Sequence, residues 1–303
     1  MKKFFVKLII MFFLISISFL GLNYAYIHSN AFYIANDTIK FKNVPKGIEI
    51  CNLGSSHGKR SFDYSEVKEK GYNFGLAGQD FYYDFQILKQ FSENLKKGAI
   101  VLIVVSYFSY NRELFDGSFF ERNPRYYSFL RKELIFNYSF TDAIKYKYLP
   151  VTTAKANIIN IFLNQKDKPQ IYVKHNIELD EFKSHSQKKA ETHSQRNSDE
   201  SANIEYLKKI IEFCKENYFI PVLITPPFYE TYSSYYPTEK INKFLNTTEG
   251  LAKREKIPYL NYSKDKNFIN NIDLFLNSDH LNYLGAKKFT SKVVSTLKKM
   301  GFL

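Results

Sequence analysis

The chain has 303 residues, and its 45% hydrophobic and 24% charged content is typical of a folded protein and excludes a disordered one. Its two cysteines, Cys51 and Cys214, exclude a disulfide scaffold, and neither stands at zinc-site spacing from another cysteine or histidine, so no structural metal is predicted. The 43 Lys and Arg residues outnumber the 30 Asp and Glu residues and give a net charge of +13, which is compatible with nucleic acid or anionic envelope material as a partner.

The N-terminus predicts the compartment. Lysines in residues 1–7 precede the uncharged run Leu8–Ile27, which is long enough to span a bilayer and apolar on all faces. A buried core helix and a cleaved signal peptide are the alternatives, but Tyr24 and Asn23 make a poor cleavage site before Ala25. We therefore predict a cytoplasmic segment 1–7 and a single-pass membrane anchor at 8–27. The positive-inside rule then places the remaining chain outside the cytoplasm, which excludes nucleic acid as the partner.

The remaining sequence, after a connector at 28–46, predicts one α/β domain over 47–303 with a largely parallel sheet. Apolar runs of strand length alternate with segments of helical period, as in folds that cover a parallel sheet with helices. The run Ile100–Val105 is apolar throughout and predicts a central strand that is buried on both faces. The five predicted strands are Ile48–Leu53, Tyr72–Leu76, Ile100–Val105, Ile220–Thr225 and Ile257–Tyr262. Cys51 falls in a strand and Cys214 on an apolar helix face, so we expect both in the core.

Three predicted helices carry apolar residues on one face. The first covers Asp80–Lys97, with Asp80 as its N-cap and Gly98 as its C-terminal stop. The second covers Ser201–Asn217, and the third is the last helix of the chain, with Gly285 in its first turn.

An insertion at about 111–201 interrupts the alternation after the third strand. Its first half is rich in aromatic residues and is expected to form helices. Its polar second half, Glu181–Glu200, predicts a mobile surface loop, on which His185 and His193 would be exposed linker residues. A metal or catalytic role for these two histidines is the alternative.

Two remote segments carry residues that could perform chemistry. Ser56 follows Gly54 and Ser55 just after the first strand, at the sheet edge where open α/β folds place their sites. His280 stands before the last helix, where it could face the same edge. A serine becomes a nucleophile only beside a base such as imidazole, which itself needs an acceptor to fix its tautomer. Each segment alone is also explained by local structure, because loops before helices favour Gly, Ser and hydrogen-bonded His.

Together these residues resemble the SGNH (GDSL-like) serine hydrolases, and in particular the membrane-anchored extracytoplasmic branch similar to lipoteichoic-acid D-alanylation and polysaccharide O-acetylation proteins. The resemblance covers most of Ile48 to Leu303. It implies a three-layer α/β/α, flavodoxin-like fold, Ser56 in the Gly-x-Ser turn as nucleophile and His280 as base. The glycine of the second family block is matched by Gly78, whose amide is implied as an oxyanion donor. The Leu223–Pro227 strand end also resembles the family, although it is equally explained as a plain strand terminator.

The chain departs from the family in two blocks. The third block, usually Gly-x-Asn-Asp, is absent, so Ser106 is a positional candidate for the third oxyanion donor and Asn111 a more remote one. The family's Asp-x-x-His becomes Asn277-x-x-His280, and an amide cannot supply the negative charge that stabilises an imidazolium.

Two carboxylates could replace the missing one. Asp279 could turn inward, or Asp273 could reach the ring; otherwise His280 would work with Asn277 or a backbone carbonyl as a slow dyad. His57, next to the nucleophile, could bind substrate or act in the proton path, or could merely bond backbone.

The sequence thus predicts an anchored extracytoplasmic serine esterase or O-acyltransferase that acts on an envelope or capsular glycan without a cofactor or metal. A membrane-bound acyltransferase is a further candidate partner. The alternative is a catalytically weak or inactive SGNH-like protein that binds glycan or holds an assembly together. Phosphate-ester chemistry is disfavoured, because the sequence has no Gly-rich phosphate loop or paired-carboxylate site.

Overall fold

The computed structural model describes residues 1–29, 32, 37–154, 179–196 and 198–303. The chain divides into two compact units. The first comprises Met1–Asn43 and Phe120–Gln170, and the second comprises Val44–Phe119 and Ile171–Leu303. The boundaries expected from the sequence, at residues 7, 27 and 46, are not tested by this division and stay predictions.

The second unit is built on a parallel sheet of five strands in the order β2-β1-β3-β4-β5. This is the flavodoxin-like order of doubly wound folds, in which β1 and β3 are neighbours and a crevice forms beyond their carboxyl ends. The strands are β1 (Ile48–Leu53), β2 (Gly71–Asn73), β3 (Leu95–Val104), β4 (Ile220–Thr225) and β5 (Tyr259–Asn261). The α/β fold class predicted from the sequence is confirmed.

Central strand β3 has the burial that its composition predicts. Ile100, Val101, Leu102 and Ile103 are all inaccessible to solvent, because β1 and β4 flank the strand and helices cover the sheet. Cys51 and Cys214 are free, buried thiols, as expected.

Helices of the second unit pack on the sheet and position its loops. On one face, Phe289 and Val293 of the last helix share a core with Ile50 and Leu102 of the strands. The helices that lie wholly in this unit are α2 (Ser56–Ser61), α3 (Phe81–Phe91), α6 (Leu179–Ser194), α7 (Ser201–Glu216), α8 (Glu230–Tyr235), α9 (Thr238–Glu255) and α10 (Tyr283–Lys299). A two-stranded antiparallel hairpin, β6 (Phe275–Asn277) and β7 (His280–Leu281), precedes α10.

Two sequence predictions about helices are corrected. Asp80 does cap α3, since its carboxylate accepts from the Tyr83 amide at 3.0 Å, but the helix ends at Phe91 and not at Lys97. The difference arises because Leu95 already pairs with Ile48 in the sheet, so strand pairing overrides the helical period. The polar stretch predicted as a surface loop, Glu181–Glu200, contains all of α6 except its first two residues, and Phe182 and Ala190 are in the core.

The first unit begins with α1 (Lys2–Ile27), an apolar helix that is long enough to cross a membrane; a signal sequence would pass the same test. Near its end, the Asn23 amide donates to the Tyr148 carbonyl at 3.2 Å, and Tyr26 is buried. Short helices follow in the second half of this unit, α5 (Phe140–Ala143) among them, while α4 (Gly117–Arg122) lies where the chain passes from one unit to the other.

Candidate active site

The candidate nucleophile lies in a turn whose backbone is fixed by packing. β1 ends at Leu53, and Ser56 begins α2 after the turn of Gly54 and Ser55. Gly54 has a φ of +123°, and a Cβ there would lie 2.9 Å from the Cβ of Val104, so only glycine fits. The Gly54 amide donates to the buried Asp84 carboxylate at 2.7 Å. Ser56 is half-buried at the carboxyl edge of the sheet, where the sequence predicted it.

The candidate base is held by the β6–β7 hairpin. The Nδ1 atom of His280 lies 2.9 Å from the side-chain oxygen of Asn277, the residue that replaces the expected aspartate. The same oxygen accepts from the Asp279 amide at 3.3 Å, which shapes the turn. Asn282 then caps α10 by accepting from the Gly285 amide at 3.0 Å. These hydrogen bonds fix the turn that carries His280 and the start of the helix that follows it.

Asp279 turns inward and lies between two imidazoles. Its Oδ2 is 3.3 Å from His57 Nε2, and its Oδ1 is 3.2 Å from His280 Nδ1. Burial by itself would raise the pKa of Asp279, but the electrostatic attraction of His280 at 3.2 Å and the hydrogen bond from His57 hold it well below its ordinary value. Asp273, the other carboxylate considered from the sequence, is exposed on a 3-10 turn. Asp279 is therefore the carboxylate that lies against the base.

His57 occupies a buried position, with 1% of its surface exposed. Its Nδ1 is 2.6 Å from Ser106 Oγ, and its Nε2 faces Asp279. Burial lowers the pKa of His57, more strongly than the hydrogen bond with Asp279 raises it. A neutral ring that donates from Nε2 to the carboxylate must accept from the Ser106 hydroxyl at Nδ1, so these partners define the tautomer. The substrate-binding role predicted for His57 stays a prediction.

The contact between Ser56 and His280 also stays a prediction. The segments that carry them do meet, since the His57 and His280 rings lie 4.9 Å apart between centroids. The His280 Nε2 atom is buried and has no hydrogen-bond partner among the residues that the structure describes. A ring held at Nδ1 with an unoccupied Nε2 is the arrangement that a general base requires.

The candidate oxyanion donors differ in their surroundings. Gly78 adopts a φ of +67° in the turn before α3. The Ser106 amide donates to Ser109 Oγ at 2.8 Å, and its hydroxyl serves His57. Asn111 donates its side-chain amide to Glu200 at 3.1 Å. Gly78 and Ser106 remain predicted donors, but both donor hydrogens of Ser106 are engaged, by Ser109 and by His57, so Ser106 would have to give up one of these contacts to reach an oxyanion.

His193 is a residue that the sequence analysis misplaced. It lies on α6, is 9% exposed, and its Nδ1 is 2.8 Å from the Tyr232 hydroxyl. Its ring is 4.2 Å from that of Phe108 and 6.5 Å from that of His57. Burial lowers the pKa of His193 to about 3. The sequence does contain a pattern that could have predicted this position. One helix face carries Phe182, Ser186, Ala190 and His193, which are spaced by three or four residues, but the pattern is recognised only if small polar residues are allowed on a buried face.

His57, Asp279 and His280 could also hold a metal ion, because each offers one ligand atom and these atoms lie within 4.8 Å of one another. Imidazole and carboxylate suit zinc and other divalent transition metals. That the site works without metal therefore stays a prediction.

The chain matches no protein-family model and no curated protein. Several solved structures are similar to it at low sequence identity. A proposed acylhydrolase from Bacteroides fragilis is 12% identical, with a TM-score of 0.43 over 86% of this chain and 93% of that one. The lipase/acylhydrolase from Enterococcus faecalis is 12% identical, with a TM-score of 0.38 over 83% and 96%. A proposed lipolytic protein of the G-D-S-L family from Desulfitobacterium hafniense is 12% identical, with a TM-score of 0.38 over 82% and 98%. At this level of similarity, the argument for an activity rests on the site.

Proposed function

We propose that the protein is a membrane-anchored, extracytoplasmic serine esterase or O-acyltransferase that acts on acyl esters of a cell-envelope or capsular polysaccharide. The observation that carries the proposal is the environment of His280. The Asn277 side-chain oxygen is hydrogen-bonded to its Nδ1, and Asp279 Oδ1 lies 3.2 Å from the same atom. Its Nε2 has no partner among the described residues, at the sheet edge where Ser56 begins α2.

The chemistry follows from these contacts. Ser56 attacks the ester carbonyl while His280 Nε2 accepts its proton, which gives an acyl-enzyme and releases the alcohol after the proton is returned. The Ser56 and Gly78 amides stabilise the oxyanion. Ser106 is the third candidate only if it gives up one of its present contacts, because its amide donates to Ser109 and its hydroxyl to His57. Water or a sugar hydroxyl then takes the acyl group, which decides between hydrolysis and transfer.

Asp279 supplies the negative charge that Asn277 lacks. As His280 becomes protonated during the attack, the buried carboxylate at 3.2 Å stabilises the imidazolium, because a charge pair in a water-poor site is weakly screened. Asn277 keeps the ring oriented at 2.9 Å. The two roles that one aspartate has in a Ser-His-Asp triad are thus divided between two residues.

His57 and Ser106 are proposed as positioning residues for that carboxylate. His57 donates to the Asp279 oxygen that faces away from His280, and Ser106 keeps His57 in the donating tautomer. Such support matters because Asp279 precedes His280 directly, and adjacent side chains otherwise tend to diverge.

The site of action is inferred from α1. The lysines before this apolar helix favour a cytoplasmic N-terminus, which would place the second unit outside the cytoplasm beside envelope glycans. A membrane-bound acyltransferase is the partner expected if the acyl group comes from within the cell.

A fluorophosphonate probe tests the proposal on the full-length protein in detergent. We expect covalent labelling at neutral pH that Ser56→Ala abolishes, that the neighbouring Ser55→Ala keeps, and that EDTA does not reduce. An absence of labelling in the folded wild type would contradict the enzyme proposal and favour the alternative, an inactive glycan-binding or assembly protein. Loss of labelling with EDTA that returns with Zn²⁺ would show a metal-dependent site.

A further inference from the structure

Exposed apolar side chains cluster in the first unit. Beyond residues 1–27, and within the part of the chain that the structure describes, ten large hydrophobic residues are exposed, and five of them fall within residues 120–148. The other five are spread from Tyr218 to Leu303. Single exposed apolar residues are normal on a folded protein, but a cluster of them indicates an interaction surface. The clustered residues are Phe120, Tyr138, Phe140, Ile144 and Tyr148.

Three of these residues form one stripe, which we call the apolar face. Phe140, Ile144 and Tyr148 are four positions apart along α5 and the π-helical turn Ile144–Tyr148 that continues it. Side chains four residues apart lie on the same side of a helix. Their exposed fractions are 67%, 38% and 57%. The other side of the same segment is packed inward, since Ala143 is fully buried.

The backbone under the apolar face is fixed by hydrogen bonds. Ser139 caps α5, because its Oγ accepts from the Asp142 amide at 3.3 Å. The Ser139 amide donates to the hydroxyl of Tyr127 at 2.9 Å, and Tyr127 is itself buried. The face therefore belongs to a folded part of the first unit, whose exposed apolar side chains have a defined direction.

The end of α1 is attached to the segment that carries this face. The Asn23 amide donates to the Tyr148 carbonyl at 3.2 Å, and the Asn23 side-chain oxygen accepts from the Val151 amide at 3.3 Å. One turn later, Tyr26 shares a small core with Val151. Asn23 and Tyr26 are the buried residues of α1, while the helix before them is exposed except at the half-buried Ser16. These contacts place the apolar face beside the last turns of α1.

The depth of this attachment matches the edge of a bilayer. A hydrocarbon core about 30 Å thick is crossed by about 20 helical residues at about 1.5 Å each. Counted from Leu8, the first residue after the N-terminal lysines, such a span ends at Ile27. Asn23 precedes that end by about 6 Å along the helix axis. The Tyr148 carbonyl, which accepts from Asn23, therefore lies close to the level where acyl chains meet headgroups.

The residue types of this segment suit that level. Tyrosine is enriched at membrane interfaces because its ring is apolar and its hydroxyl is polar, and phenylalanine is typical of helix faces that enter the acyl boundary. Lys145 and Lys147 are exposed on the same segment, where anionic headgroups would attract them, and its one acidic residue, Asp142, is half-buried. An apolar stripe with neighbouring lysines favours a lipid surface over a protein partner.

We propose that Phe140, Ile144 and Tyr148 insert into the interfacial layer of the bilayer that holds α1, so that the first unit contacts the membrane at a second point. This inference rests on the proposed function, in which α1 is a membrane anchor. A lone helix leaves the attached unit free to tilt away from the bilayer. The second contact opposes this tilt, because tilting would return three apolar side chains to water.

Single tryptophans test the contact, since the chain contains none of its own and an introduced one reports on one position. Phe140→Trp and Tyr148→Trp are made in the full-length protein and reconstituted into vesicles of phosphatidylcholine and phosphatidylglycerol. We expect lipids brominated near the headgroup to quench both tryptophans more strongly than lipids brominated near the chain end. If one variant unfolds at a lower temperature than the wild type, Ile144→Trp replaces it.

Two further variants are the controls. Tyr218→Trp is matched to Phe140→Trp, because both side chains are 67% exposed, but Tyr218 belongs to the second unit, between α7 and β4. Its emission should lie at longer wavelength and should not respond to either brominated lipid. Ile17→Trp, near the middle of the apolar run of α1, reports on the anchor and should be quenched most by bromine near the chain end.

Quenching at Ile17→Trp without quenching at Phe140→Trp and Tyr148→Trp would overturn the inference and leave the anchor in place. Quenching at the two face positions without quenching at Ile17→Trp would support the lipid contact and remove the anchor of the proposed function. Short-wavelength emission at the face positions without quenching would show that protein covers the face, which would contradict lipid as the occupant. Equal quenching at Tyr218→Trp would also count against the inference, because the face would not differ from the rest of the surface.

Discussion

His57 Nε2 lies 3.3 Å from Asp279 Oδ2, although 222 positions separate the two residues in the chain. Both side chains are buried, and the opposite oxygen of the same carboxylate lies 3.2 Å from His280. One aspartate thus joins the turn that carries Ser56 to the hairpin that carries the candidate base. This bridge suggests how the site can work without the aspartate expected at Asn277.

The charge of Asp279 should matter for turnover. Asp279→Asn preserves shape and removes the charge that would stabilise the imidazolium, so we expect kcat/KM toward a p-nitrophenyl ester to fall by about 10² to 10⁴. Asn277→Asp places a carboxylate at the oxygen that now lies 2.9 Å from His280 Nδ1, and it should restore much of the loss in the Asp279→Asn background. Unchanged kinetics in Asp279→Asn would show that His280 works without this carboxylate.

His57 should act through Asp279 and not on substrate. His57→Phe removes the donor to Asp279, and we expect kcat to fall about tenfold at nearly constant KM, whereas His57→Gln, whose amide can donate, should lose less. Ser106→Ala should resemble the milder variant. A rise in KM at constant kcat would instead favour the substrate-binding role predicted from the sequence.

Asp84 and His193 should give opposite pH dependences of stability. The pKa of His193 falls from 6.5 to about 3, so the unfolded chain binds more protons between these values and stability rises with pH. The pKa of Asp84 rises from 3.8 to about 7, so the folded protein binds more protons and stability falls as pH rises. Each effect reaches at most about 1.4 kcal/mol per pH unit, and the two oppose each other between pH 4 and 6.5.

Single variants should separate these two effects. Relative to wild type, His193→Asn should gain stability as pH falls from 6.5 to 4.5, and Asp84→Asn should lose it. Unfolding midpoints at three pH values in this window measure the difference. If the unfolding midpoints of both variants changed with pH as those of the wild type do, the pKa shifts of His193 and Asp84 would be contradicted.

Gly285 should be required for the start of α10. A Cβ at this position would lie 2.1 Å from the Leu274 carbonyl oxygen, just before the hairpin that holds His280. We expect Gly285→Ala to lower the free energy of unfolding by about 2 kcal/mol or more, because backbone must move to relieve the overlap. Gly117→Ala, whose Cβ meets nothing within 4 Å, is the control and should be neutral or stabilising. Equal thermal unfolding midpoints for the two variants would contradict the expectation.

The sequence by itself determined the parts of the protein that depend on local pattern. The runs Ile48–Leu53 and Ile220–Thr225 coincide with β1 and β4, because strands buried on both faces are apolar along their whole length. The sequence also predicted the apolar N-terminal helix and the position of Ser56 after β1. Both features depend only on residues that are adjacent in the chain.

Only the tertiary structure decided which side chains meet. The sequence offered Asp279, Asp273 or neither as the carboxylate beside His280, and in the structure the hairpin of β6 and β7 turns Asp279 inward. His57, for which the sequence offered substrate binding, the proton path or a backbone hydrogen bond, is buried because Ser106 and Asp279 satisfy both of its nitrogens. His193, which the sequence placed on a surface loop, is buried because α6 packs it against Tyr232 and Phe108. Periodicity shows which face of an element is buried, but a buried polar residue depends on partners from distant segments, and those are known only once the chain has folded.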